Sequence, residues 1–255
     1  MTQSARIVWL SANVMGQELL KEAVKIPGAD VVSVITLAEG SKTVMYDGVP
    51  TESWDAFGIP VQRIDRVNNE KEVLRSLQPD FVVMCGWRQI VDLDVLTIPS
   101  QGFIGFHPTL LPKGRGPAPI INTILEGIRE SGITMYYVNE GVDTGDIIGQ
   151  ERFSITDDDR AIDVHDKIIV AAREVIKRHL PQLVAGAAPR ISQNEEDATL
   201  FPKRTLADNE ILRTDPPETR QRKIRAFNKP YRGAFIMQDG EKVTIWSKED
   251  LPEDF

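Results

Sequence analysis

Phe81-Val82-Val83-Met84-Cys85 and, further on, Gly102-Phe103-Ile104-Gly105-Phe106 decide the fold. Each run is apolar or glycine throughout, short for a globular helix, and lacks the polar alternation of a strand with one wet face. Runs of this kind mark strands buried on both sides, the condition of a parallel sheet covered by helices on either face. The pattern recurs at the start of the chain. Arg6 to Leu10 reads as a buried first strand and Val31 to Leu37 as a second. Helical segments lie between them: Gly16 to Lys25, after a turn at Ser11-Ala12-Asn13, and Glu70 to Leu77. The alternation predicts an open α/β sheet of mostly parallel strands, with ligands at the carboxyl ends of those strands.

Toward the C-terminus, Pro117-Ala118-Pro119 opens a helix through Gly127, proline being tolerated in a first helical turn. Ile133 to Val138 is a β-rich strand and Ile147 to Phe153 its partner. A long helix is expected from Ala161 to Leu180, with Pro181 ending or kinking it. Gly186 to Asn194 is loop-like, and a soft boundary falls near residue 200. It divides a main domain, residues 1–200, from a small C-terminal β-containing subdomain, residues 201–255. The latter holds a helix, Glu218 to Phe227, and two strands, Gly233 to Met237 and Lys242 to Trp246, joined through Asp239-Gly240, a hairpin signal. The acidic tail, Lys248 to Phe255, is expected to fray.

The chain has 255 residues, 41% hydrophobic and 27% charged, which argues for a folded soluble protein rather than disorder. Its start, from Met1 to Arg6, shows no secretory signal pattern, and no stretch approaches the roughly 18 apolar residues of a membrane span. A single cysteine, Cys85, excludes an internal disulfide and fits a cytoplasmic location. With three dispersed histidines and that one cysteine, no metal site is expected. A net charge of −8 disfavours general adhesion to nucleic acid.

One of the three histidines, His107, is framed by Pro108 and Pro112 and by Gly105, Gly114 and Gly116, just past a predicted strand end. Asp143 lies in Gly141-Val142-Asp143-Thr144-Gly145-Asp146, in the exit turn of another strand. The two are 143 − 107 = 36 residues apart, roughly one strand–helix–strand unit, which predicts that they meet at adjacent strand ends. A carboxylate beside an imidazole fixes its tautomer and stabilises its charged form, making a proton-handling pair. The alternative is a histidine that caps a carbonyl and an aspartate that merely shapes a turn. No Gly-x-Ser-x-Gly elbow marks a covalent nucleophile, so direct transfer to an external nucleophile is favoured.

The run from His107 through Pro112-Lys113-Gly114-Arg115-Gly116 to Ile120 resembles the signature of the folate-dependent formyltransferases, and Gly132 to Ile148 is similar to that family's second motif. The resemblance covers most of residues 5–185. It implies a Rossmann-like formyltransferase domain, transfer of a formyl group from N10-formyltetrahydrofolate to an amine, and catalytic roles for His107 and Asp143. The family pattern carries an asparagine two residues before the histidine, where this chain has Gly105. That asparagine steadies the oxyanion, and losing one such donor typically costs about 10²–10³ in rate. Asn13 or a water is the expected substitute; a slow enzyme and a binding-only homologue are the other outcomes. By position the resemblance puts the pterin against Gly86, Trp87, Gln89, Ile90 and Val91, and against Asn139, Glu140 and Val142. Lys113 and Arg115 would shape the acceptor side.

The segment from Ile224 to Phe235 resembles the region after the catalytic domain in methionyl-tRNA formyltransferases and in enzymes that formylate nucleotide-linked amino sugars. The tRNA branch implies a complete C-terminal barrel and a basic face. Here 255 − 200 = 55 residues follow the boundary, the tail is acidic and the net charge is −8. The amino-sugar branch is therefore favoured, with a nucleoside diphosphate 4-amino-4,6-dideoxysugar as acceptor, a role in lipopolysaccharide or other surface-polysaccharide synthesis, and a possible homodimer. Lys203, Arg204, Arg225 and Tyr231 are candidates for holding the pyrophosphate and base. No nucleic-acid or membrane partner is expected.

Overall fold

β1 (Ala5–Ser11) lies inside the main sheet, and both its faces are apolar: Ile7 and Trp9 enter one hydrophobic layer, Val8 and Leu10 the other. This computed structural model describes residues 4–253 and 255, so Met1 to Gln3 of the chain start and Asp254 of the acidic tail lie outside the described residues. β2 (Ala29–Leu37), β3 (Val61–Ile64), β4 (Phe81–Cys85) and β5 (Gly102–His107) run parallel to β1; β6 (Glu130–Val138) pairs antiparallel with β5, and β7 (Ile147–Ser154) antiparallel with β6. The order is β3-β2-β1-β4-β5-β6-β7, the mostly parallel α/β sheet expected from the sequence.

Two helical layers explain why the strand runs are continuously apolar. α1 (Val14–Ala23), α4 (Pro119–Leu125), α5 (Ala161–Val184) and α6 (Pro217–Ala226) contribute to the layer that holds Trp9, Val83 and Ile104. The short α2 (Lys71–Ser76) and α3 (Leu93–Leu96) supply Leu74 and Val95 to the opposite layer, with Val82 and Phe103. α5 continues past Pro181 to Val184 instead of ending at Leu180. Proline there forfeits one bond in the final turn, and the closing bonds from Ala185 to the Pro181 carbonyl and from Gly186 to the Leu183 carbonyl remain intact.

The connection from β5 to β6 differs from the expected strand–helix–strand crossover. α4 has seven residues, about 10 Å, too little to carry the chain back along β5, about 20 Å long. The excursion therefore returns to the same end of the sheet, and β6 enters antiparallel, pairing Thr134 with His107 and Val138 with Phe103. The end of β6 thus lies opposite the start of β5, not beside His107.

β8 (Ala234–Gln238) and β9 (Glu241–Ile245) form the expected hairpin, with Asp239 (φ 52°) and Gly240 (φ 82°) both left-handed at its turn. Ala234, Ile236 and Ile245 of this hairpin join Ile224 and Phe227 in the same buried cluster as Trp9. The tail is anchored rather than frayed. Asp250 accepts the Trp246 and Ser247 backbone N–H groups, and the Phe255 ring lies 4.6 Å beneath the Arg213 guanidinium.

Candidate active site

β5 ends at His107, whose side chain is buried and points to the same face of the sheet as Gly105. Its Nε2 lies 2.7 Å from the Gly114 carbonyl. A carbonyl oxygen only accepts, so Nε2 carries the proton and Nδ1 is the basic nitrogen. Nδ1 faces Asp143 Oδ2 at 3.4 Å. In the neutral ring both of these atoms are acceptors. The gap between them therefore suits a guest that brings protons, such as an ammonium or amine group, or else an imidazolium paired with the carboxylate.

The 139–146 segment brings Asp143 to this position although β6 ends far from it. The segment folds back over the sheet, stitched at its base by the bond from Tyr137 N to the Asp146 carbonyl. Asp143 takes a left-handed backbone (φ 53°), which aspartate tolerates better than most residues. Its Oδ2 accepts the Gly116 N–H at 2.8 Å, and its Oδ1 accepts the Tyr136 hydroxyl at 2.8 Å. Gln193 clamps the segment from outside by donating to the carbonyls of Asp143 and Gly145. Arg115 in turn grips Gln193 and Glu195 through both of its terminal nitrogens.

His107, Asp143 and Tyr136 form one wall of a cleft of about 410 Å³. Met15, Met84, Phe106, Ile120 and Ile168 give it an apolar lining, and Trp87, Tyr46, Arg88 and Tyr231 also border it. Trp87 Nε1 is buried without a hydrogen-bond partner. A second acid–imidazole pair lines the same cleft. His165 Nε2 lies 3.1 Å from Asp47 Oδ2, and the Asn13 amide donates to that same oxygen at 2.8 Å. Asn13 Oδ1 meanwhile accepts the Gly16 N–H as the N-cap of α1. Burial alone would raise the Asp47 carboxyl, but the His165 ring and then the Asn13 amide hold it below the usual carboxylate value.

A depressed carboxylate contributes stability in full above its unfolded pKa, about 3.9, and loses it as pH falls through the lower folded value. Asp47→Asn is therefore expected to cost about 1–3 kcal/mol at neutral pH, with the difference from wild type shrinking below about pH 4. Urea unfolding at several pH values checks this, and a difference that does not vary with pH contradicts it.

The other expected residues do not all meet at the cleft. Gly86, Trp87, Asn13 and Tyr231 line the cleft with His107 and Asp143. Gln89 and Ile90 line a neighbouring hollow with Arg66 and Asn68, and the Gln89 side chain is tied to Val67 N, Thr43 Oγ1 and the Asp65 carbonyl. Val91 packs against the α2–α3 layer. Asn139, Glu140 and Val142 are exposed on the outside of the folded-back segment, where Asn139 Oδ1 accepts from Gly141 N and Thr144 Oγ1. Lys113 borders a separate hollow with Leu110 and Phe201. Lys203 is exposed, Arg204 is held by Asn122 and Asp208, and Arg225 donates to the carbonyls of Thr156 and Asp159. The reading of the sequence passed over Tyr136, Asp47, His165 and Tyr46. His165 had a signal, as one of three histidines placed among apolar residues of a helix. The others become visible only when strands and loops are assembled.

Residues 5–180 match the Formyl transferase family. Among solved structures, a 4-N formyltransferase from Francisella tularensis superposes with a TM-score of 0.79 at 19% identity, covering 95% of this chain and 97% of that one. WlaRD, a sugar 3N-formyl transferase solved with dTDP and 5-N-formyl-THF, gives 0.73 at 18% identity, covering 94% and 84%. HypX from Aquifex aeolicus, in complex with tetrahydrofolic acid, gives 0.72 at 19% identity; this chain spans 37% of its length. At these identities the superpositions speak for the fold, whereas the family match extends from the first strand into the last turns of the long helix and includes both His107 and Asp143. On that match the chain belongs to the formyl transferase family.

Proposed function

We propose that the chain is an N-formyltransferase that moves a formyl group from N10-formyltetrahydrofolate to the amine of a nucleotide-linked amino sugar of the 4-amino-4,6-dideoxy type. The observation that carries this reading is the 3.4 Å approach of His107 Nδ1 to Asp143 Oδ2 in the wall of the cleft. The apolar lining from Met15, Met84, Phe106, Ile120 and Ile168 suits a pterin held by a few polar contacts. Backbone at Gly86, in a left-handed conformation (φ 59°), borders the same space.

In this reading the acceptor ammonium enters between Nδ1 and Oδ2 and loses a proton to bulk water, leaving a neutral amine. His107 Nδ1 takes the second proton as the amine attacks, and Asp143 stabilises the resulting imidazolium. The Gly114 carbonyl holds Nε2–H throughout, so the ring keeps Nδ1 turned toward the reacting atoms. Arg88 lies over the Tyr46 ring at the cleft border and is the cation best placed for a pyrophosphate. This assignment moves the anion contact away from Lys203, Arg204 and Arg225, which lie outside the cleft.

The reading extends to a cytoplasmic homodimer that feeds surface-polysaccharide synthesis. It is supported by buried, unpaired Cys85 and by Met237 and Val243 exposed on the hairpin. Among the described residues no helix is long and apolar enough to cross a membrane. Incubation with N10-formyltetrahydrofolate and a panel of nucleotide-linked amino sugars tests the central claim, with release of tetrahydrofolate as the readout. Turnover with one sugar supports it. Donor binding without turnover on any amine would point instead to a binding-only homologue.

A further inference from the structure

When an amine adds to a formyl carbon, negative charge develops on the formyl oxygen, and a donor aimed at it is worth about 10²–10³ in rate. Several polar groups around the His107–Asp143 pair are already committed. Gly116 N–H serves Asp143 Oδ2, His107 Nε2–H serves the Gly114 carbonyl, and one N–H of the Asn13 amide serves Asp47. β5 offers no side chain two residues before His107, because position 105 is glycine.

Tyr136 fills that space. It sits directly opposite Gly105 in the β5–β6 ladder. A Cβ placed on Gly105 would lie 2.8 Å from Tyr136 Cε1 and 2.9 Å from Val138 Cγ2, so the ring occupies the volume any side chain at 105 would need. The ring crosses Gly105 and delivers its hydroxyl to Asp143 Oδ1 at 2.8 Å, in the wall of the cleft. We infer that Tyr136 is a third catalytic residue, whose O–H passes from Asp143 to the formyl oxygen during transfer.

Charge balance drives that exchange. The amine lone pair bonds to the formyl carbon, the carbonyl π pair moves onto oxygen, and the amine proton goes to His107 Nδ1. Asp143 is now compensated by an imidazolium, so the Tyr136 O–H is free to turn to the new oxyanion. On collapse the oxygen pair re-forms the carbonyl, the bond from carbon to the folate N10 breaks, and N10 takes the proton from His107. Tyr136 then returns to Asp143. Burial, followed by the charge and hydrogen bond of Asp143, pushes the phenol well above its ordinary value, so it remains a protonated donor.

This inference rests on the formyl-transfer reading, and the experiment separates the two. Tyr136→Phe removes only the hydroxyl. Its kcat is expected to fall about 10²–10³-fold, with KM for both substrates, donor affinity by fluorescence titration and melting temperature nearly unchanged. Wild-type kcat in that variant overturns the inference alone, and a loss of donor affinity or folding that accounts for the fall assigns Tyr136 to structure and also overturns it. A wild type with no turnover removes both claims. As a second arm, Gly105→Asn in a Tyr136→Ala background places an amide where the phenol was. At least tenfold recovery over Tyr136→Ala supports the shared role, and no recovery in a folded protein counts against it. If that background fails to fold by circular dichroism, the Tyr136→Phe result decides.

Discussion

Replacing His107 with alanine is expected to lower turnover by about 10²–10⁴-fold while the formyl donor still binds. Nδ1 is the basic nitrogen facing Asp143 across the slot, because Nε2 is committed to the Gly114 carbonyl. In the proposed reading the apolar lining from Met15, Met84, Phe106, Ile120 and Ile168 carries the donor, and the substitution leaves it in place. The variant also leaves the Gly114 carbonyl without its imidazole partner, at a cost of about 1–3 kcal/mol in stability. Thr109 Oγ1, 3.3 Å from the same oxygen, offsets part of that. Steady-state kinetics and donor titration on one preparation check the two halves separately. Near-normal kcat would remove His107 from the chemistry, and a collapse of donor affinity would make it a binding residue.

Asp143→Asn is expected to lower kcat by about 10³–10⁴-fold, as loss of the carboxylate does in other His–Asp pairs. The amide cannot balance an imidazolium at Nδ1. One of its two ends must also turn an NH₂ group toward Gly116 N–H or toward the Tyr136 hydroxyl, replacing an acceptor with a donor. A companion variant separates charge from position. A Cβ on Gly145 would fall 1.6 Å from the Tyr137 carbonyl oxygen, a contact with backbone that no rotamer relieves. Gly145→Ala must therefore shift the folded-back segment. It is expected to lose turnover about 10²-fold through misplacement of an intact carboxylate. If Gly145→Ala keeps full activity, the position of Asp143 is less constrained than the hydrogen bonds imply.

The restoring substitution that the sequence invites, Gly105→Asn, is expected to fail on its own. The new Cβ meets both the Tyr136 ring, at 2.8 Å, and Val138, at 2.9 Å, two side chains packed against one another. Overpacking of this kind costs about 1–3 kcal/mol, so a lower melting temperature with no gain in rate is the expected result. A Gly105→Asn protein as stable as wild type would mean that the Tyr136 ring is free to move aside.

Arg115 shows how far a motif carries. Its place in a glycine-rich loop beside the histidine suggested contact with an acceptor. Its guanidinium instead grips Gln193 and Glu195, residues nearly eighty positions away that no local pattern links to it. Glu195 in turn is held below its usual carboxylate value by that guanidinium. The loop was legible, but the direction of the side chain was set by what the chain later laid against it.

The sequence by itself determined the two-sided burial of β1, β4 and β5, the helices between strands, the Asp239-Gly240 hairpin and the choice of His107 and Asp143 as the candidate pair. These follow from local rules: apolar periodicity, turn chemistry and the pairing of an imidazole with a carboxylate. Only the tertiary structure decided that β6 runs antiparallel, that the 139–146 segment folds back to bring Asp143 to His107, that Tyr136 takes the space left by Gly105, and that Asp47 and His165 share the cleft. Each of these depends on pairing between residues distant along the chain. Such pairing is selected by how long a connection can reach and which side chains fit one volume, neither of which is written in any single stretch of residues.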